Sequence, residues 1–231
     1  MTTGTVGAPV ADGIGRIPGF VNSYTYAEGE ETYLIDTGFS RKANPIIRAF
    51  ESANVPLTRV RKMLLTHHHL DHMGGAAYLL ENTHAPISCQ ADDVPYVDGR
   101  AKAPMPLLMR LFMRVHPAPV ATVLKDGDQV GSLQVIHTPG HTPGEVVFYL
   151  PARKILFSGD AVVERKGKLT LPAPRVAANL NQAVLSLARL RALDTEVLLP
   201  GHGVPVTKDV ASLLDDLIQR GPKEFLRNSA V

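Results

Sequence analysis

Four times along this 231-residue chain, an apolar run of strand type breaks into a short loop carrying histidine or aspartate beside glycine. The runs are VRKMLLTHHHLDHMGG, SLQVIHTPGHT, KILFSGD and EVLLPGHG. Side chains alternate between the two faces of a strand, so a run that is apolar throughout is covered on both faces. Such strands belong to the interior of a layered α/β domain. Loops at their ends are where a rigid scaffold can hold reactive groups at an edge.

The segments between these runs complete the pattern. FVNSYTYA and ETYLIDTG flank the turn EGE and read as a hairpin. NPIIRAFESANV has helical spacing with Pro45 near its start, and HMGGAAYLLENT reads as a helix that begins just after the histidine cluster. NLNQAVLSLARLRAL is an amphipathic helix with Leu185, Leu187, Leu190 and Leu193 among its apolar positions, and KDVASLLDDLIQR closes the series. Strands and helices thus recur in two similar halves. That order predicts an α/β fold, a four-layer αββα sandwich of two mixed β-sheets with outer helices. Residues 1–13 read as a flexible tail and 14–231 as one domain, with a Met-rich helical insert at about 94–122.

Composition narrows the function classes. A net charge of +2 gives no broad basic footprint, so nucleic acid is not an expected partner. The single cysteine, Cys89, excludes an internal disulfide and reads as a small buried hydrophobe. No apolar run reaches the roughly 20 residues needed to span a bilayer, so no membrane association is expected. The start, MTTGTVGAPVADG, has no signal-peptide pattern, and the expected location is cytoplasmic.

Four of the nine histidines and one aspartate fall between His67 and His72. In extended backbone His67 and His69 point one way and His68 the other. The chain then turns, and Asp71 and His72 reach a second point nearby. Neutral imidazole and carboxylate are good ligands for zinc and its neighbours, which gives a reason to crowd them. His141, Asp160 and His202 are further stations of the same kind, each beside glycine, which lets backbone approach a crowded centre.

His67-x-His69-x-Asp71-His72, followed by His141, Asp160 and His202, resembles the metal-binding motifs of the metallo-β-lactamase-fold superfamily. LIDTG around Asp36 resembles that superfamily's early aspartate motif, and the similarity runs from roughly Asn22 to Gln219. The resemblance implies two divalent ions, zinc first, with iron or manganese as alternatives. His67, His69 and His141 match the ligands of one; Asp71, His72 and His202 match those of the other; Asp160 matches the carboxylate between them. Asp36 matches a position that supports the site without ligating. The implied chemistry is attack by a metal-bound hydroxide, with Asp71 as the catalytic carboxylate that orients it.

The branch within the superfamily is less defined. The Asp71–His72 pair is intact, unlike in the flavodiiron branch, where a glutamate replaces the second histidine of the motif. Val163 stands where acyl-homoserine lactonases often carry tyrosine, and the stretch after His202 is short for a glutathione-binding extension of glyoxalase II type. The expectation is hydrolysis of a carboxylic ester, thioester or lactone, with side activity on lactams or phosphoesters. The alternatives are a mononuclear iron dioxygenase acting on a sulfur substrate, and a phosphodiesterase or nuclease. The expected partner is a small-molecule substrate. The segment APMPLLMRLFMRVHPAP reads either as a packing or homodimer surface or as a lid beside the metals.

Overall fold

The computed structural model describes residues 5–102 and 116–227, with side chains through residue 221. The chain divides into two compact units, Met1–Val123 and Leu124–Val231, each built on its own sheet. Two mixed β-sheets with helices match the expected fold class. The Met-rich run 103–115 lies outside the described residues.

In the first unit the strands are β1 (Ala8–Ala11), β2 (Ile14–Ile17), β3 (Ser23–Glu28), β4 (Glu31–Ile35), β5 (Val60–Leu64), β6 (Ile87–Gln90) and β7 (Val120–Leu124), hydrogen-bonded in that order. β1 to β4 are antiparallel neighbours, whereas β4, β5 and β6 run parallel. Parallel neighbours need a crossover, and helices supply it. α1 (Asn44–Ser52) carries the chain from β4 to β5. α2 (Leu70–Met73) and α3 (Ala76–Thr83) carry it from β5 to β6, and α4 (Val94–Val97) comes after β6. Ile46 and Phe50 of α1 and Leu79 of α3 bury against Leu34, Met63 and Ile87 of the sheet.

Residues 8–11 fall within the segment read as a tail, yet they pair with β2 in register Ala8↔Arg16 and Pro9↔Gly15. The Thr25 hydroxyl, on β3, donates to the Val6 carbonyl at 2.7 Å. The chain can lie this close because Gly15 has no side chain; a Cβ there would overlap the Val6 carbonyl.

In the second unit the strands are β8 (Gln129–Val130), β9 (Leu133–His137), β10 (Val146–Leu150), β11 (Ile155–Gly159), β12 (Val163–Arg165), β13 (Lys168–Thr170) and β14 (Val197–Pro200). The sheet order is β14-β11-β10-β9-β8, and β12 and β13 form a separate hairpin. The hairpin exposes Arg165, Lys166 and Lys168 to solvent. β14 pairs parallel with β11, and the crossover is α5 (Leu180–Arg191). Asn179 caps α5, its side-chain oxygen accepting from the Gln182 amide at 3.0 Å. Leu187 and Leu190 of α5, with Leu214 and Leu217 of α6 (Val210–Arg227), bury against Val147, Leu156 and Leu198. Leu185, counted among the apolar positions of α5, is instead 66% exposed. It precedes Leu187 by two residues, about 200° around the helix, so the two leucines face opposite ways.

Phe148 is fully buried at the centre of β10. Phe148→Ala is expected to cost about 3–5 kcal/mol in denaturant-induced unfolding. Leu185→Ser, at an exposed site, is expected to stay within about 0.5 kcal/mol of the parent.

Candidate metal centre

The histidine cluster grows from the carboxyl end of β5. The strand holds Leu64 in register with Ile35, and the Leu64 carbonyl accepts from the Asp36 amide at 3.0 Å. Asp36 sits at φ 56°, a left-handed backbone that aspartate tolerates better than most residues. Its carboxylate accepts from the Thr66 amide at 2.8 Å, from the Thr66 hydroxyl at 2.9 Å, and faces His72 Nδ1 at 2.8 Å. The Thr66 hydroxyl also lies 3.1 Å from His67 Nδ1. Nδ1 of both rings is thus engaged by oxygen, which makes Nε2 the basic nitrogen of each, the tautomer needed for ligation.

His69 caps α2, its carbonyl accepting from the His72 and Met73 amides at 2.9 and 3.0 Å. The helix therefore starts at Leu70, inside the cluster and earlier than expected. It is cut from α3 at Gly74–Gly75, where the chain passes so close to the Phe39 and Thr37 carbonyls that a Cβ would clash with them. This turn places the His67 ring 4.8 Å from that of His69 and 4.0 Å from that of His72, centre to centre. Asp71 lies half-buried in the first turn of α2. His68 is held elsewhere: its amide donates to Asp93 at 2.8 Å, its Nδ1 lies 3.0 Å from the same carboxylate, and its ring stacks on Tyr96 at 4.2 Å. Asp93 was not among the residues expected at the cluster.

In the second unit the register of three strands assembles the other stations. β11 and β14 are aligned Phe157↔Leu199 and Gly159↔Pro200, and the Gly201 amide donates to the Gly159 carbonyl at 2.7 Å. Asp160 and His202, just beyond these two strand ends, are neighbours for that reason. β10 runs antiparallel to β11 with Phe148 opposite Phe157, so the loop 138–145 that carries His141 emerges at the same end. That loop packs on α5 through Gly140, where a Cβ would collide with Ala183. The outcome is one carboxylate oxygen between two imidazoles. Asp160 Oδ2 lies 3.5 Å from His141 Nε2 and 3.4 Å from His202 Nε2.

These two distances test whether the donors fit a metal. They exceed the 2.7–3.2 Å of a good nitrogen–oxygen hydrogen bond. Two ligand atoms each about 2.0–2.1 Å from a tetrahedral zinc lie about 3.4 Å apart. The spacing and the imidazole–carboxylate chemistry both suit a carboxylate that shares one ion with each histidine.

The other histidines play no part in these clusters. His84 ends α3 in a left-handed conformation, His137 ends β9 with its ring against the Pro143 carbonyl at 2.8 Å, and exposed His116 lies 3.4 Å from Arg41. Among the described residues no helix is long and apolar enough to cross a membrane.

Comparison with known proteins agrees with this geometry. The family model for the metallo-beta-lactamase superfamily matches residues 16–202, and the chain belongs to that superfamily. A probable metallo-hydrolase of Bacillus subtilis (strain 168), YflN, is 28% identical over 84% of each chain. A hydroxyacylglutathione hydrolase of Aeromonas hydrophila is 31% identical, over 79% of this chain and 61% of its own length. Among solved structures, metallo-beta-lactamase family protein TTHA1429 from Thermus thermophilus shares the fold. Its TM-score is 0.74 at 24% identity, covering 96% of this chain and 82% of that one. TTHA1623, solved in a di-iron-bound form, gives 0.66 at 31% identity, covering 81% and 89%. The chain is a superfamily metallo-hydrolase with histidine and aspartate groups suited to divalent metal.

Cys89, in β6, is fully buried; burial first, then the charges of Asp93 and Asp98, push its thiol up to about 12. The raised value means that the fold favours the neutral thiol. Its contribution to stability is complete below about pH 9 and is lost as pH rises from there toward 12. At pH 8 the native chain is expected to resist iodoacetamide, and alkylation should complete only in denaturant. Rapid native labelling would contradict this burial.

Proposed function

We propose that the chain is a binuclear metal-dependent hydrolase of carboxylic thioesters, esters or lactones. His67, His69 and His141 would hold one ion and Asp71, His72 and His202 the other, with Asp160 in reach of a histidine of each set. The observation that carries this reading is the Asp160 oxygen placed 3.4–3.5 Å from two imidazole nitrogens, the spacing of shared coordination. Divalent ions supply Lewis-acid chemistry: they polarise an acyl carbonyl and make water nucleophilic near neutral pH. Zinc is the proposed ion; the di-iron form of TTHA1623 makes iron the alternative to measure, and manganese suits the same donors.

The chain's own residues do the rest. Asp36 and Thr66 fix the tautomer and direction of His72 and His67. Asp93 draws His68 aside, leaving His67 and His69 as the histidines of that loop for ligation. Asp71 accepts a hydrogen bond from the attacking water and orients it toward the carbonyl. The thioester is favoured among the three substrate classes by two relatives. One is the hydroxyacylglutathione hydrolase. The other is an atrochrysone carboxyl ACP thioesterase of Aspergillus fumigatus, 25% identical over 80% of this chain and 51% of its own length.

The test is metal analysis of purified protein coupled to a panel of thioesters, esters, lactones, lactams and phosphodiesters. About two divalent ions per chain and turnover of acyl substrates are expected. A chelator should abolish turnover and zinc should restore it. Asp160→Ala should bind less metal and lose more than about 100-fold in kcat/KM, since partners behind the ligands alone cost 10–100-fold in such sites. A single iron with oxygen uptake, or turnover of phosphodiesters alone, would overturn the proposal.

A further inference from the structure

We propose that Glu145 is a positioning residue that couples the His141 loop to the carboxylate of Asp160. The inference rests on the metal-binding reading above. Glu145 immediately precedes β10 and is fully buried, with 0% exposure. Burying a carboxylate is costly unless the groups around it exploit its acceptor strength. Here Oε1 accepts from the Asp160 amide at 2.9 Å. The residue that carries the shared ligand oxygen is therefore held through its own peptide by a side chain from the loop that carries His141.

The same glutamate also closes the loop that carries His141. Its carbonyl accepts from the Thr138 amide at 2.8 Å, which pins the two ends of 138–145 together. Within that loop the Gly140 and His141 carbonyls accept from the Asn179 and Ala178 amides at 2.8 and 2.9 Å, anchoring it at the start of α5. One residue thus fixes by its backbone the loop of His141, and by its side chain the peptide of Asp160. The Asp160–His141 spacing of 3.5 Å is the distance these two attachments control. A displacement of either station by about 1 Å would take the pair outside the spacing of co-ligands on one ion.

Reach and charge can be separated by substitution. Glu145→Gln keeps an acceptor oxygen at the same reach and removes the charge. Glu145→Asp keeps the charge and falls one methylene short of the Asp160 amide. The readout is zinc affinity of the metal-free protein, measured by competition with a chromophoric chelator, with thermal unfolding of the metal-free forms alongside. Positioning predicts that Glu145→Asp loses about 10–100-fold in affinity while Glu145→Gln stays near the parent. A role in fold stability alone predicts lower melting temperatures with unchanged affinity for both, and that result would overturn the inference. Loss confined to Glu145→Gln, or equal loss in both variants, would also overturn it, because reach would then not be what sets the affinity. If the parent protein itself binds no zinc or other divalent ion, it is the metal-binding reading that fails.

Discussion

The parallel pairing of β11 with β14 is the constraint on which the histidine and aspartate cluster of the second unit depends. Two parallel strands in register end side by side, and the residues just past their ends are brought together without further design. Those residues are Asp160 after one strand and His202 after the other. The β9–β10 connection adds His141 at that end because β10 is antiparallel to β11. In the first unit β4 and β5 obey the same rule, bringing Asp36 beside Thr66 and, through the turn of α2, beside His72. Histidines and aspartates spread widely along the sequence are thus reduced to neighbours at strand ends in each unit.

Backbone register alone does not aim a side chain. The aiming is done by buried carboxylates that do not themselves ligate in the proposed centre. Asp36 takes the outer nitrogen of His72, and Asp93 takes His68. Glu164, at the start of the β12–β13 hairpin, accepts from the Gly167 and Val204 amides at 2.6 and 2.9 Å, and its own amide donates to the His202 carbonyl at 3.0 Å. Gly203 beside it leaves no room for a Cβ against Glu164. Each acid thus directs its acceptors to peptide N–H groups or imidazoles near a ligand. Hydrogen bonds to an ionised acceptor are roughly twice as strong as neutral ones, so this arrangement stiffens loops that could otherwise sample many conformations.

Much of this was legible in the order of residues. The apolar runs announced β5, β9, β11 and β14, and the histidines and aspartates stood in the loops after them because few other roles tolerate such crowding. Helix α1 was marked by Pro45 and α5 by its repeating leucines. Elements that depend on distant partners were not legible. β1 is built from small residues and a proline, and it is a strand only because β2 and Gly15 receive it. The β12–β13 hairpin, VERKGKL, reads as a charged turn until Glu164 is seen to anchor it. Asp93 lies 25 positions from His68 and Glu145 15 positions from Asp160. Neither carries a spacing signal, because a carboxylate reaching a peptide N–H across a sheet end has no period. Leu185 illustrates the converse: a leucine in an amphipathic run faces solvent when its angle on the helix says so.

The pair Gly74–Gly75 has a practical corollary for anyone wishing to harden the molecule against heat. Exchanging glycine for alanine ordinarily stabilises a protein by shrinking the repertoire of its denatured chain. At these two positions the exchange drives a methyl group into the carbonyls of Phe39, Thr37 and Leu70, so the segment bearing Asp71 and His72 must keep its unfolded-state entropy. Exchanges meant to add thermal robustness have to avoid these two positions.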